Sequence, residues 1–117
     1  MKLVLLCVCT CALLAWADEV TGSFTMPSDD ITGLAWGNGY LWAVDTETHI
    51  LYQLNPTSGD VINSFSVAVA GGHVITGLAF YNDILYVAED YPGSTNSAYI
   101  YKYSSTGVFQ GNVDVVC

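Results

Sequence analysis

A short block of sequence occurs twice in this chain, and the repetition constrains the fold more than any other feature. The block ITGLA at residues 31–35 returns at residues 75–79, an offset of 44 residues. A second pair, LWAVD at residues 41–45 and LYVAE at residues 85–89, keeps the same offset. The second copy then contains an insertion, after which TSG at residues 57–59 matches STG at residues 105–107 at an offset of 48. Two copies of one structural unit therefore follow each other.

Each copy contains four short runs of β-branched, aromatic and alternating apolar residues, a composition that favours β-strands. The dipeptide Asn38-Gly39, which is typical of a tight hairpin turn, separates the first two runs. A period in the forties that is built from four strands is typical of the blades of a β-propeller. The predicted strands cover residues 31–36, 40–45, 49–54 and 61–67 in the first copy and residues 74–80, 84–89, 98–103 and 108–115 in the second.

A further strand is predicted before the first copy. The segment VTGSFTM at residues 20–26 matches VINSFSV at residues 61–67, the outer strand of the first copy. We therefore predict an all-β chain of two four-stranded antiparallel blades and one N-terminal outer strand. The outer strand takes residues 18–30, the first blade residues 31–67 and the second blade residues 68–117.

Two blades are too few for a closed propeller, which needs about four to eight. An isolated outer strand at the start of a chain would complete a final blade that lacks its own outer strand. We therefore expect the chain to be the N-terminal part of a larger ring. The alternative is a two-bladed, lectin-like subunit that forms a ring by self-association. The additional outer strand disfavours this alternative, because two complete blades leave no place for it.

The N-terminus has the three parts of a secretory signal peptide. Met1-Lys2 is a charged start, residues 3–14 form an apolar run, and Ala15-Trp16-Ala17 is a small-residue cleavage pattern. The apolar run is shorter than the roughly 20 residues that are needed to cross a bilayer. We therefore predict that residues 1–17 are removed. The mature chain would be secreted, periplasmic or held at the cell surface, without stable membrane insertion.

The composition excludes two classes of partner. The chain has 11 acidic residues against 2 Lys and Arg, a formal net charge of −9. Nucleic acids and anionic membrane surfaces need basic patches, so neither is an expected partner. Removal of the signal peptide would leave Cys117 as the single cysteine. A disulfide framework and a cysteine-based metal site are therefore excluded within the mature chain.

The repeat ITGLAWGNGYLWAVDTETHILYQLNPTSGDVINSFSV at residues 31–67 resembles a known blade sequence. It is similar to the blades of secreted β-propeller proteins of the NHL, YVTN and streptogramin-lyase-like group. Blades of that group commonly have a GLA inner strand and an SF outer strand, matched here by residues 33–35 and 64–65. The resemblance implies a propeller. It does not identify a ligand, because this fold carries binding proteins and enzymes alike.

Acidic residues gather in loops that share one end of the predicted blades. These loops connect the second strand of each blade to the third, and one blade to the next. They carry Asp29, Asp30, Asp45, Glu47, His73, Glu89 and Asp90. Because Ca²⁺ prefers oxygen ligands, we predict a calcium site at Asp45, Glu89 and Asp90. The alternative is that these carboxylates accept hydrogen bonds from backbone amides of the turns that follow them.

The insertion that distinguishes the second copy is the loop at residues 90–97. Insertions on one face of a repeat protein often carry its binding function. Tyr91 and Asn96 are therefore predicted ligand contacts, together with the loop residues Asp45, Glu47, His73, Glu89 and Asp90. Trp36 and Trp42 offer rings that could stack on carbohydrate. Both occupy repeat positions, however, which favours packing between blades.

These features predict an extracytoplasmic binding or interaction module with a protein or carbohydrate ligand, which also contacts further blades or copies of itself. The alternative is a propeller enzyme, similar to streptogramin lyases, lactonases or glutaminyl cyclotransferases, with part of its catalytic residues in further blades. His49 and His73 have no serine or cysteine nucleophile motif beside them. No catalytic residue is therefore assigned.

Overall fold

The protein consists of two consecutive four-stranded antiparallel sheets. A computed structural model describes residues 22–69, 71–93 and 98–115, and these residues contain strands and turns but no helix. Accordingly, this described part has no helix that could span a membrane. The first sheet has the order β1-β2-β3-β4 and the second the order β5-β6-β7-β8. The strands are β1 (Ile31–Gly37), β2 (Tyr40–Asp45), β3 (Ile50–Leu54), β4 (Val61–Ser66), β5 (Val74–Tyr81), β6 (Ile84–Asp90), β7 (Ala98–Ser104) and β8 (Phe109–Val115).

The predicted all-β fold is confirmed, and each of the eight strands within the two copies begins and ends within one residue of its predicted bounds. The tight turns explain this agreement. Asn38 and Gly39 both have positive φ angles, 54° and 78°, and so do Asn82 and Asp83, 51° and 64°. Two successive positive φ angles define the two-residue turn whose twist matches a β-hairpin. The Asn38 amide also donates a hydrogen bond to the Asp83 carboxylate, which joins the two equivalent turns.

The hydrophobic core lies between the two sheets. Trp42 of β2 stacks on Phe80 of β5, with ring centroids 5.6 Å apart and planes 17° apart. The Trp42 indole N–H donates a 3.0 Å hydrogen bond to the Gly37 carbonyl, so the buried polar atom has a partner. The buried apolar residues of this core are Trp42, Val44, Leu51, Val67, Ile75, Leu85, Val87 and Tyr103. The predicted packing role of the tryptophans is therefore correct for Trp42, whereas Trp36 is 61% exposed.

A strand glycine makes the Trp42–Phe80 stack sterically feasible. A Cβ atom on Gly37 would lie 1.9 Å from the Phe80 ring. Gly33, on the same strand, is also crowded, because its Cβ would lie 3.0 Å from the Leu78 backbone nitrogen. The repeat counterpart of Gly33 is Gly77, and a Cβ there would meet nothing nearer than Ala88 at 3.8 Å. A strand glycine is thus crowded by a neighbouring backbone or ring at Gly33 and Gly37, which face the second sheet, and not at Gly77.

The predicted N-terminal outer strand stays a prediction. Residues 1–21, which include the predicted signal peptide and the start of that strand, lie outside the described residues. Residues 22–30 pair with neither described sheet, and the blade that the prediction assigns to them lies outside both. Their position is nevertheless that of an outer strand. Phe24 covers Gly59 just as Phe65 of β4 covers Gly107, with nearest ring or Cβ atoms 2.3 Å and 2.7 Å from an added Cβ.

We expect Gly37→Ala to lower the free energy of unfolding by about 1–3 kcal/mol, the usual cost of forcing extra atoms into a packed core. The new methyl group would occupy the space of the Phe80 ring. Gly71→Ala is the matched control, because an added Cβ there has no neighbour within 4 Å. Urea denaturation of both variants measures the difference. Equal stability of the two variants would contradict the proposed role of Gly37.

Candidate functional site

The acidic loops of the two sheets meet at one end of the molecule, which we call the loop end. It comprises the β2–β3 turn, residues 67–69 and 71–73 of the connection between the sheets, the start of β5 and the end of β6. The backbone N–H of Ile75 donates to the Thr46 hydroxyl at 3.2 Å. The Thr46 N–H in turn donates to the Asp30 carbonyl at 3.1 Å. The two sheets are therefore held together at this end by hydrogen bonds as well as by the apolar core.

Asp45 at the end of β2 is a buried carboxylate that organises its own turn. Its Oδ1 accepts hydrogen bonds from the backbone N–H groups of Glu47 at 2.7 Å and Thr48 at 2.8 Å. Burial raises the pKa of Asp45, but interactions with the Ser28 hydroxyl and with these two amides outweigh it and hold the pKa below its ordinary value of 3.8. No hydrogen bond of ordinary geometry reaches Oδ2 from the described residues. The alternative structural role predicted for this carboxylate is observed.

Glu89 is the repeat counterpart of Asp45 and makes different contacts. Its side chain is completely buried and accepts a 2.8 Å hydrogen bond from the Tyr101 hydroxyl on Oε1. His73 Nδ1 lies 3.0 Å from the same oxygen, a distance that suits an ion pair. This contact is not a hydrogen bond, and neither His73 Nδ1 nor Glu89 Oε2 has a hydrogen-bond partner among the described residues. Glu89 therefore joins the interblade connection to β7.

Aromatic rings extend from the loop end along the second sheet. The His73 ring packs against Tyr91 at a centroid distance of 5.0 Å and against Tyr99 at 5.8 Å. Tyr99 then stacks on Tyr101 at 6.4 Å. Tyr91 is the outer member of this row and is 41% exposed. Its ring lies over Gly72, where φ is +81° and an added Cβ would lie 2.9 Å from the ring. A glycine at this position therefore lets Tyr91 approach the loop backbone.

An open groove of about 500 Å³ borders the loop end of the second sheet. Its surface is mainly apolar, with one exposed carboxylate at its margin, that of Asp90. The lining residues are Thr76, Ala88, Glu89, Asp90, Ala98, Tyr99, Ile100 and Val115. Most of these residues lie on the face of the sheet that points away from the core. The register of β6 and β7 places them there, because they alternate along each strand with the residues that face the core.

The structure brings some of the predicted site residues together and separates others. His73, Glu89 and Tyr91 form one cluster, while Asp45 is engaged in its own turn. Glu47 and Asp90 are exposed, and Asn96 lies in the segment 94–97, outside the described residues. No group of three His, Cys, Asp or Glu side chains in the described ranges could hold a metal ion. The calcium site at Asp45, Glu89 and Asp90 stays a prediction.

Sequence reasoning did not single out Tyr99 and Tyr101, which complete the cluster around Glu89. Their signal was the alternation of tyrosines at positions 99, 101 and 103 of β7. Such alternation places the three rings on one face of the sheet. The register pairs Glu89 directly with Tyr99, which puts the two side chains on that same face. Only a known register can show that a predicted acidic residue and these rings are neighbours.

Comparisons with known proteins define the class of fold. No protein-family model matches the chain, and no curated protein matches its sequence. Among solved structures, a europium-containing methanol dehydrogenase matches with a TM-score of 0.57 and 19% sequence identity. The match covers 70% of this chain, which spans 15% of the dehydrogenase chain. That protein is a β-propeller, and similarity at this identity shows the fold alone.

The chain therefore has a propeller-like fold. Its two four-stranded antiparallel sheets correspond to propeller blades, and they repeat along the chain as blades do. We refer to the sheet of β1–β4 as the first blade and the sheet of β5–β8 as the second blade.

Substitution of Asp45 tests its role in the turn. We expect Asp45→Ala to cost about 1–2 kcal/mol near pH 7, because two backbone amides lose their acceptor. Asp45→Asn keeps an acceptor oxygen and should cost less. Because the folded pKa lies below 3.8, the charge contributes stability above that pH, and the contribution is lost as the pH falls through the folded pKa. Urea denaturation from neutral to acidic pH measures this. A difference in the free energy of unfolding between wild type and Asp45→Asn that is the same at all pH values would contradict this role of the charge.

The titration of Tyr101 tests the buried cluster. Burial, the hydrogen bond to Glu89 and the negative charge of Glu89 raise the pKa of Tyr101 from 10.0 to about 12. We expect absorbance titrations of wild type and Tyr101→Phe to coincide up to about pH 11, because the hydroxyl that distinguishes them stays protonated. The neutral hydroxyl stabilises the fold below pH 10, and this contribution declines as the pH rises towards 12. A difference of one tyrosine near pH 10 would show that the hydroxyl is not buried against Glu89.

Proposed function

We propose that this chain is an extracytoplasmic binding module of a secreted β-propeller protein, and that its ligand is a saccharide that contacts the loop end of the second blade. The observation that carries the proposal is the exposed Tyr91 ring, which packs on His73, whose Nδ1 lies 3.0 Å from the buried Glu89 carboxylate. The Tyr91 ring is therefore exposed to solvent and rests on the half-buried His73 ring, which lies against the buried Glu89. A ring with a fixed orientation loses little freedom when a ligand stacks on it.

The chemistry of this surface suits a sugar better than the other ligands considered. An aromatic ring offers an apolar platform for the face of a pyranose. The exposed Asp90 carboxylate precedes Tyr91 in the chain and lines the groove, where it can accept hydrogen bonds from hydroxyl groups. The net charge of −9 repels phosphate-rich ligands such as nucleic acids. Stacking and hydrogen bonds from hydroxyls together favour a neutral saccharide.

Membership of the NHL, YVTN and streptogramin-lyase-like group belongs to this proposal. It rests on the repeated GLA inner strand and the SF outer strand, and it agrees with the observed blade architecture. Export rests on the signal-peptide pattern of residues 1–17. An enzymatic function is not favoured. The dehydrogenase that shares the fold matches at 19% identity over 15% of its length, which transfers no catalytic residue.

A glycan array probed with the mature chain from Asp18 tests the proposal. We expect retention on a defined set of neutral glycans. Tyr91→Ala should weaken binding to that set by about threefold to tenfold, the value of one aromatic contact. Tyr91→Phe keeps the ring and should bind almost as well as wild type.

Tyr81→Ala is the matched control. Tyr81 is also an exposed tyrosine, but it lies at the end of β5 beside the β5–β6 hairpin, opposite the loop end. The control should bind glycans like wild type. Absence of glycan retention by the wild type would overturn the saccharide proposal. Equal loss in both alanine variants would show that binding does not depend on the loop end.

A further inference from the structure

The two hairpin turns at the end of the molecule opposite the loop end contact each other through a side-chain hydrogen bond. The amide nitrogen of Asn38, in the β1–β2 turn, donates to the carboxylate of Asp83, in the β5–β6 turn. Both side chains are exposed, and both residues have positive φ angles. We call this interaction the hairpin contact. It links the blades at one end, as the hydrogen bond between Ile75 and Thr46 does at the loop end.

The residue that follows Asn38 makes its side-chain amide chemically labile. Asparagine is a thermolabile residue, because the backbone nitrogen of the next residue can attack its side chain. Glycine hinders this attack least, since it has no Cβ atom, and Asn-Gly occurs once in the sequence, at Asn38-Gly39. Gly39 is exposed, and an added Cβ there would have no neighbour within 4 Å. The register pairs Gly37 with Tyr40, so the hydrogen bonds that close the hairpin do not use the Gly39 N–H.

The equivalent turn of the second blade lacks this combination. Its asparagine, Asn82, is followed by Asp83 instead of glycine. The Asp83 side chain hinders approach to its own backbone nitrogen, and its negative charge opposes the loss of a proton from that nitrogen. Asn82 is exposed like Asn38 and has a similar φ angle, 51° against 54°. The two turns therefore provide an internal comparison of the residue that follows the asparagine.

We propose that Asn38 is a site of spontaneous deamidation and that this modification breaks the hairpin contact. The Gly39 nitrogen loses its proton and forms a bond to Asn38 Cγ. The bond from Cγ to Nδ2 breaks, and the departing nitrogen takes up a proton and leaves as ammonia. One water molecule then opens the succinimide ring, its oxygen bonding to one of the two ring carbonyl carbons while the ring nitrogen regains a proton. The product is aspartate or isoaspartate at position 38.

The folded hairpin slows this reaction without preventing it. The hydrogen bond to Asp83 and the turn conformation restrain the Asn38 amide, so the attack takes place when the tip of the hairpin opens locally. Exposed turns open at a lower free energy than the strands of a core. The release of ammonia is irreversible under these conditions. Modified protein therefore accumulates with time.

The modified residue opposes the interaction that Asn38 makes. A carboxylate at position 38 has no N–H to donate, and its negative charge faces the carboxylate of Asp83. Like charges at such a short distance repel each other. Isoaspartate also adds a methylene group to the main chain of a two-residue turn. Repulsion thus replaces the hairpin contact, while the hydrogen bond between Ile75 and Thr46 lies at the other end of the blades.

Incubation of the purified protein at neutral to mildly alkaline pH, in water enriched in the heavy isotope of oxygen, tests the reaction. A brief chymotryptic digest in ordinary water, with cleavage after aromatic residues and leucine, then places the two asparagines in separate peptides, residues 37–40 and 82–85. Mass spectrometry should find that the peptide 37–40 acquires one heavy oxygen several times faster than the peptide 82–85. Equal rates, or an unchanged peptide 37–40, would overturn the proposal.

Urea denaturation near pH 7 tests the effect on the hairpin contact. Asn38→Asp reproduces one product and should have a lower midpoint than wild type. Thr57→Asp is the matched control, because it adds the same charge in an exposed turn and should unfold like wild type. Asn38→Asp combined with Asp83→Asn again places an amide opposite a carboxylate and should recover most of the lost stability. Equal midpoints for Asn38→Asp and Thr57→Asp, or no recovery in the double variant, would show that the modification does not act through this contact.

Discussion

The structure depends on the apolar contact between the two blades, with the stacked rings of Trp42 and Phe80 at its centre. A four-stranded sheet by itself leaves both of its faces in water, so neither blade can bury its apolar side chains alone. The contact needs a gap in the first blade, and Gly37 supplies it by having no Cβ atom. The hydrogen bonds between the Asn38 and Asp83 side chains and between Ile75 and Thr46 then fix the two ends. The described loops at the two ends of the blades are therefore brought together in pairs.

Equivalent positions of the repeat perform different tasks once the blades are packed. Asp45 and Glu89 both lie near the end of the second strand of a blade. Asp45 accepts hydrogen bonds from backbone amides of its own turn, whereas Glu89 accepts one from the Tyr101 hydroxyl and lies against His73. The reason is local. The turn after Asp45 is short and presents two backbone amides, whereas the second copy has its insertion after Glu89. The longer carboxylate therefore turns towards β7 and the interblade connection, where aromatic rings surround it.

Sequence reasoning predicted the eight strands of the two copies accurately because their signals are local. Alternating apolar residues indicate strands, and Asn38-Gly39 and Asn82-Asp83 indicate tight turns whatever surrounds them. The predicted N-terminal outer strand stays a prediction, since its pairing partner would lie outside the two described sheets. The candidate site was found in part. His73, Glu89 and Tyr91 were singled out, but Tyr99 and Tyr101 were not, because contacts across strands depend on the register.

The sequence by itself determined the all-β architecture, the number of strands in each blade, the turns and the excess of negative charge. These properties depend on the period of the repeat and on residue types, which act over a few positions. Only the tertiary structure decided that Trp42 is buried while Trp36 is exposed, that Gly33 is crowded while Gly77 is not, and that Glu89 lies against His73. The physical reason is that each blade has two faces. Whether the residues on a face are buried depends on whether another blade packs against that face.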